Sequence, residues 1–220
     1  MAREKFKDRF EGGRILAERL GKFAHQDDVV VLALPRGGVP VAFEIARALR
    51  VRLDVFLVRK LGVPGHPELA MGAIATGGVC VLNDEVIQYF TIPPETIATV
   101  AAEERRELDR RERKYRNGRA PVEAAFHHVI LVDDGLATGA SMRAAVRALR
   151  PQKPVDISVA VPVGTRTVCA ELEEEADEVV CALMPAHLHA VGEWYEDFQP
   201  VTDEQVIELL ERAAERPAHS

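Results

Sequence analysis

Residues 129–141 read Val-Ile-Leu-Val-Asp-Asp-Gly-Leu-Ala-Thr-Gly-Ala-Ser, and each residue type in that order has a chemical use. Four aliphatic residues in a row suit a strand buried on both faces, and the small residues after them let backbone N–H groups approach an anion. The hydroxyls of Thr138 and Ser141 add donors, and a helix starting there turns its positive dipole end to the same point. Ala137, Thr138, Gly139, Ala140 and Ser141 are therefore the expected phosphate cradle. Asp133 and Asp134 would repel a phosphate, so they are expected to face hydroxyls, or a magnesium-bound part, of the same ligand. A ligand with hydroxyls and a phosphate is a sugar phosphate.

Two competing phosphate motifs fail letter by letter. A P-loop needs Gly-Lys-Ser/Thr where this chain has Gly139-Ala140-Ser141. The dinucleotide fingerprint is missing too, because three residues separate Gly135 from Gly139 and no third glycine follows. ATP hydrolysis on a P-loop and hydride transfer are disfavoured. The plain structural alternative is that the acids cap a helix and the glycine eases a turn.

These residues need strands and helices to position them. Unbroken apolar runs at 29–34, 53–58, 129–132 and 155–161, with a weaker one at 178–183, predict strands buried on both faces. Helical spacing follows in Val41, Ala42, Ile45, Ala46 and Leu49, and again in Met142, Ala145, Val146 and Leu149. Alternating strand, loop and helix predict an α/β fold, a parallel central sheet flanked by helices, with ligands at the carboxyl ends of the strands. Residues 95–116 predict a charged, mostly solvated helix about 33 Å long, with i,i+4 pairs Glu107–Arg111, Asp109–Arg113 and Glu112–Arg116, ended by Asn117 and Gly118. Such a helix suits a surface or a dimer-flanking role. Thr202 and Gln205 form a capping box before a last helix with Val206, Leu210 and Ala213 on one face.

The 220 residues are read as one domain, 1–220, with appendages at about 84–120 (the long helix) and 185–220. Lys and Arg number 28 and Asp and Glu 35, so the net charge of −7 argues against general nucleic-acid binding. Cys80, Cys169 and Cys181 lack C-x-x-C spacing, so neither a zinc site nor a disulfide framework is suggested. The start of the chain lacks a signal-peptide core, and no apolar run approaches the ~18 residues needed to cross a bilayer. A cytoplasmic protein is expected.

Residues 129–141 closely resemble the phosphoribosyl pyrophosphate (PRPP) signature of type I phosphoribosyltransferases. Leu34-Pro-Arg-Gly-Gly38 resembles the family's pyrophosphate loop, and Arg59-Lys-Leu-Gly-Val-Pro-Gly-His-Pro67 resembles the basic start of its mobile lid. The resemblance implies that ribose 5-phosphate rests on residues 137–141 and the ribose hydroxyls on Asp133 and Asp134. Arg36, Gly37 and Gly38 would then hold pyrophosphate and magnesium, with the metal near Asp133 and Asp134 and bound chiefly through PRPP. A non-proline cis peptide entering Arg36 is also implied.

The implied reaction is displacement at the ribose anomeric carbon, with Arg36, Arg59 and Lys60 as catalytic residues that neutralise the departing pyrophosphate. The implied partners are PRPP and a small nucleobase-like acceptor, and a homo-oligomer is compatible with the reading. The alternative is a regulatory protein that senses PRPP without turnover. Many 6-oxopurine members carry an acid directly before Thr-Gly, where this chain has Ala137, which weakens the expectation of hypoxanthine or guanine. A variable hood for the base is expected at 185–200, with Trp194 and Tyr195, beside Phe198, as stacking candidates. His66 and Glu68 in the lid are weaker candidates for a general base, and His187 and His189 lack a clear third metal ligand.

Overall fold

The computed structural model describes residues 5–215, without the side chains of residues 67 and 68. The first half of the chain contains α1 (Arg9–Arg19), β1 (Val29–Ala33), α2 (Gly38–Leu49), β2 (Arg52–Val55), β3 (Val58–Val63), β4 (His66–Ala75) and β5 (Cys80–Leu82). There follow α3 (Asp84–Tyr89), α4 (Pro94–Arg116), β6 (His128–Val132), α5 (Ala140–Leu149), β7 (Asp156–Val163), α6 (Arg166–Glu173), β8 (Glu178–Leu183) and α7 (Asp203–Ala214).

The apolar runs form a five-stranded parallel sheet in the order β2-β1-β6-β7-β8. Every residue of β1 is buried, as a central parallel strand covered on both faces requires. Val29, Val31 and Ile130 join a core with α1, α2 and α7, whereas Val30, Leu131 and Val159 join one with α5 and α6. This is the α/β sandwich expected from the alternation of strands and helices.

The run at 53–58 is not one strand. Phe56 N–H still donates to Ala33 O at 2.9 Å, but Leu57 N–H donates to Thr76 Oγ1 and Leu57 O accepts from Thr76 N–H, each at 2.9 Å, and the chain leaves the parallel sheet there. It enters a second, antiparallel sheet, β3-β4-β5. The segment that resembles the start of a mobile lid is a hairpin, with register shifts on both sides of Gly62.

The long helix spans 23 residues, Pro94–Arg116, and its Glu107–Arg111 and Glu112–Arg116 pairs form. Asp109 pairs with Arg105 instead of Arg113. Leu108, Tyr115 and Arg116 are buried, so the helix is anchored at its carboxyl end, where Arg116 Nε meets both Asp54 oxygens at 3.1 and 3.2 Å. The Thr202–Gln205 capping box opens α7. Among the described residues, no helix is long and apolar enough to cross a membrane.

Candidate functional site

Because β1 and β6 are adjacent and parallel, the loops leaving them lie side by side at one edge of the sheet. Leu34 N–H donates to Val132 O at 2.8 Å, and Gly38 N–H donates back to Leu34 O at 3.0 Å. The Pro35–Arg36 peptide is cis, as the resemblance implied. A β-carbon on Gly38 would lie 2.6 Å from Val132 O, and one on Gly37 would collide with the Asp134 carboxylate. The two glycines are thus required by the acids beside them.

The second loop is fixed by Leu136 N–H, which donates to Val163 O at 2.8 Å. Gly139 has φ +71°, a left-handed conformation suited to glycine, and is the residue from which α5 starts. Ala137, Thr138, Ala140 and Ser141 are exposed around that helix start, while Gly139 is buried. Thr138 Oγ1 accepts from Ala140 N–H at 3.4 Å, and Arg143 Nη2 donates to Thr138 O at 2.8 Å. The first-turn N–H groups of a helix lack intrahelical acceptors, so this exposed start can receive an anion.

Burial, reinforced by the charge of Asp134, pushes the Asp133 carboxyl well above the usual carboxylate range; the Asp134 N–H, 2.8 Å from Asp133 Oδ1, and Arg9 oppose this. Asp134 Oδ2 is held by Arg9 Nε at 2.8 Å. Arg9 also donates to Gln199 O at 2.9 Å and stacks on the Phe198 ring at 3.8 Å. Sequence reasoning misses the Arg9 contact, and no local pattern could reveal it, because 125 positions separate the partners.

Tyr195 corrects the expectation of an open stacking ring. It is 4% exposed, lies against Phe6 and Phe198, and donates its hydroxyl to Asp134 O at 2.5 Å. Burial pushes the phenol upward, which keeps it a neutral donor. Trp194 is half-buried in the same cluster, and its indole nitrogen is buried without a partner among the described residues. The aromatic segment thus braces the acids from behind.

Arg36 is half-exposed and 3.9 Å from Asp203 Oδ1, while Lys60 is exposed on β3. Arg59 Nε pairs with Glu104 Oε2 of α4 at 2.5 Å. His66 stacks on Phe90 with centroids 5.3 Å apart, and Glu68 falls in β4 with its side chain outside the described residues. His187 and His189 are exposed, and among the described residues no group of three or more His, Cys, Asp or Glu could hold a metal. Magnesium ordinarily keeps several waters and takes one or two carboxylates plus phosphate oxygens, so the two acids fit an ion brought by a ligand.

The model of the phosphoribosyl transferase domain matches residues 6–197. Proteins from two strains of Mycobacterium tuberculosis, CDC 1551 / Oshkosh and H37Rv, provisionally named as phosphoribosyl transferases, are each 44% identical over 208 residues. The match covers 94% of this chain and 47% of each of theirs, so the chain spans about half the length of these curated relatives. The crystal structure of TT1426 from Thermus thermophilus is 43% identical, with a TM-score of 0.85 over 94% of this chain and 98% of that one. With the two strand-end loops and both comparisons in agreement, the chain belongs to the phosphoribosyl transferase domain family.

Proposed function

We propose that the chain transfers 5-phosphoribose from PRPP to a nitrogen of a small nucleobase-like acceptor and releases pyrophosphate. The observation that carries this reading is the contact of the two loops: Gly37 and Gly38 are packed so closely on Asp134 and Asp133 that one ligand can span both. The 5-phosphate lies on residues 137–141 and the ribose hydroxyls on Asp133 and Asp134. Pyrophosphate lies on Arg36 and the N–H groups of Gly37 and Gly38.

In the reaction, the bond from C1′ to the pyrophosphate oxygen breaks with its electron pair going to pyrophosphate. A bond from the acceptor nitrogen to C1′ forms, and that nitrogen gives up its proton to water or to the departing pyrophosphate. Arg36 offsets charge on the leaving group, and Arg59 and Lys60 join it when the hairpin closes and excludes water. Asp133 and Asp134 would hold magnesium chiefly through PRPP, and the ion would supply further positive charge to the pyrophosphate.

A PRPP-sensing protein without turnover is favoured by two features. Tyr195 has no open face for a base, and Ala137 puts no acid beside the acceptor. Incubation with labelled PRPP, magnesium and a panel of bases separates the readings. Pyrophosphate release that depends on one base supports transfer; tight binding without release for every base supports sensing and overturns transfer.

A further inference from the structure

A cavity of about 990 Å³ lies at the opposite, amino edge of the parallel sheet, among the starts of β1 and β2, the ends of α2 and α4, and the last turns of α7. That volume falls within the range of small-molecule pockets. Val29, Phe43, Ala46, Leu53, Val122 and Leu210 give it an apolar lining. Arg47, Arg50, Arg52, Arg116 and Arg119 converge on it.

Two of these charges are already balanced, Arg116 by Asp54 and Arg47 by Glu44. The other three are not. Arg52 Nη2 donates to the Asp27 carbonyl at 3.2 Å and touches the His127 ring. Arg119 donates to the carbonyls of Leu210 at 2.7 Å and Arg116 at 3.0 Å. Carbonyls orient a guanidinium without cancelling its charge. Among the described residues, no carboxylate forms an ion pair with Arg50, Arg52 or Arg119; of the two acids lining the cavity, Asp54 is paired with Arg116 and Asp27 meets Arg52 through its carbonyl.

Fixed guanidinium forks match phosphate oxygens, and the apolar lining suits a flat ring. We propose that this cavity binds a nucleoside monophosphate, its phosphate on Arg50, Arg52 and Arg119 and its base against the part-exposed side chains of Leu53 and Val122. The site is separate from the cradle, so the proposal stands whether or not the chain transfers phosphoribose.

Calorimetric titration with AMP and GMP tests it, on the parent saturated with ribose 5-phosphate and on a folded Gly139→Val protein. One monophosphate should bind in both cases. Arg50→Gln/Arg52→Gln, which alters exposed side chains and leaves the cradle intact, should weaken that binding about tenfold or more, equivalent to ~1.4 kcal/mol. Adenosine and guanosine, which lack the phosphate, should bind at least about tenfold more weakly than the better monophosphate, and so should inorganic pyrophosphate, which lacks the ring, in the part of its binding that the double variant removes, since the loop at Arg36 can also hold it. The proposal is overturned if neither monophosphate binds under ribose 5-phosphate, if the double variant binds as the parent does, or if the pyrophosphate binding that the double variant removes is as tight as that of the better monophosphate. The double variant in the unsaturated parent reports on the cavity even if the cradle binds no ribose 5-phosphate.

Discussion

The acids after β6 and the hairpin of β3 and β4 are assigned to one ligand, yet they are held in different ways. Asp134 is fixed from three sides by Arg9, Tyr195 and the bare backbone of Gly37, all of them largely buried. The hairpin meets α4 through the partly exposed pair Arg59–Glu104. Exposed pairs contribute up to about 1 kcal/mol, whereas losing one partner of a buried pair costs several times that. Under the proposed function, the contrast would separate a rigid ground for the ribose from a cover that can be released.

The sharpest way to break this contrast lies in the glycines. Gly139→Val puts a branched side chain at φ +71°, with its β-carbon 2.8 Å from Val168 Cγ1, and should abolish ribose 5-phosphate binding. Thr138→Val removes one donor and should weaken binding by about 1–3 kcal/mol. Calorimetry on folded variants checks the order, and normal binding by Gly139→Val would place the anion elsewhere.

Arg9→Met should come next, because it strands the charge of Asp134. The pair is 10% and 16% exposed, so a loss of about 3 kcal/mol is expected. At about 2–4 °C for each kcal/mol, Tm should fall by roughly 6–12 °C, together with PRPP affinity. A variant that melts with the parent would show that the acids do not depend on α1.

Asp133→Asn should act oppositely on stability and binding. The carboxyl is raised in the folded state, so its contribution to stability is full below the unfolded value of about 3.9 and is lost as pH rises through the folded value. At pH 7 the Asn protein should melt at or above the parent, and the gap should close as pH falls toward ~4. PRPP affinity should drop throughout. Thermal melts across pH and a PRPP titration read both.

The smallest effects on stability belong to the cover. Glu104→Gln should change stability by less than about 1 kcal/mol but speed proteolysis at residues 62–67. Lys60→Ala should lower turnover and leave ribose 5-phosphate affinity unchanged. Magnesium–PRPP should slow cleavage of the parent, and equal cleavage with and without it would count against a closing hairpin.

The strand, loop and helix start at residues 129–141 are legible in the sequence because the strand is uniformly apolar and most of the loop is small, a pattern that local chemistry dictates. The hairpin is not. Gly62, Gly65 and Gly72, with the register shifts around Gly62, break the alternation by which strands are recognised. Helix α1 escapes a reading by pattern because Gly12 and Gly13 weaken its helical signal, yet their lack of side chains lets it press on Pro162 and Val41. Tyr195 reads as a stacking ring because its type gives no direction; its place beneath Asp134 comes from a contact 61 positions away.

The pairing of β1 with β6 joins residues about a hundred positions apart, Val29 with His128 and Ala33 with Val132. Between them the chain builds β2, the whole hairpin sheet and α4. Contacts this distant in sequence form late, because the loop must be closed before they stabilise anything. During synthesis β1, whose following loop bears Arg36, therefore waits, with its neighbour on one side missing, until the second half of the domain has emerged. A nascent chain stalled before residue 128 has Arg36, Gly37 and Gly38 but neither Asp133 nor Asp134, so under the proposed function PRPP binding would arise with the closure of the central sheet and could serve as a readout of completed folding.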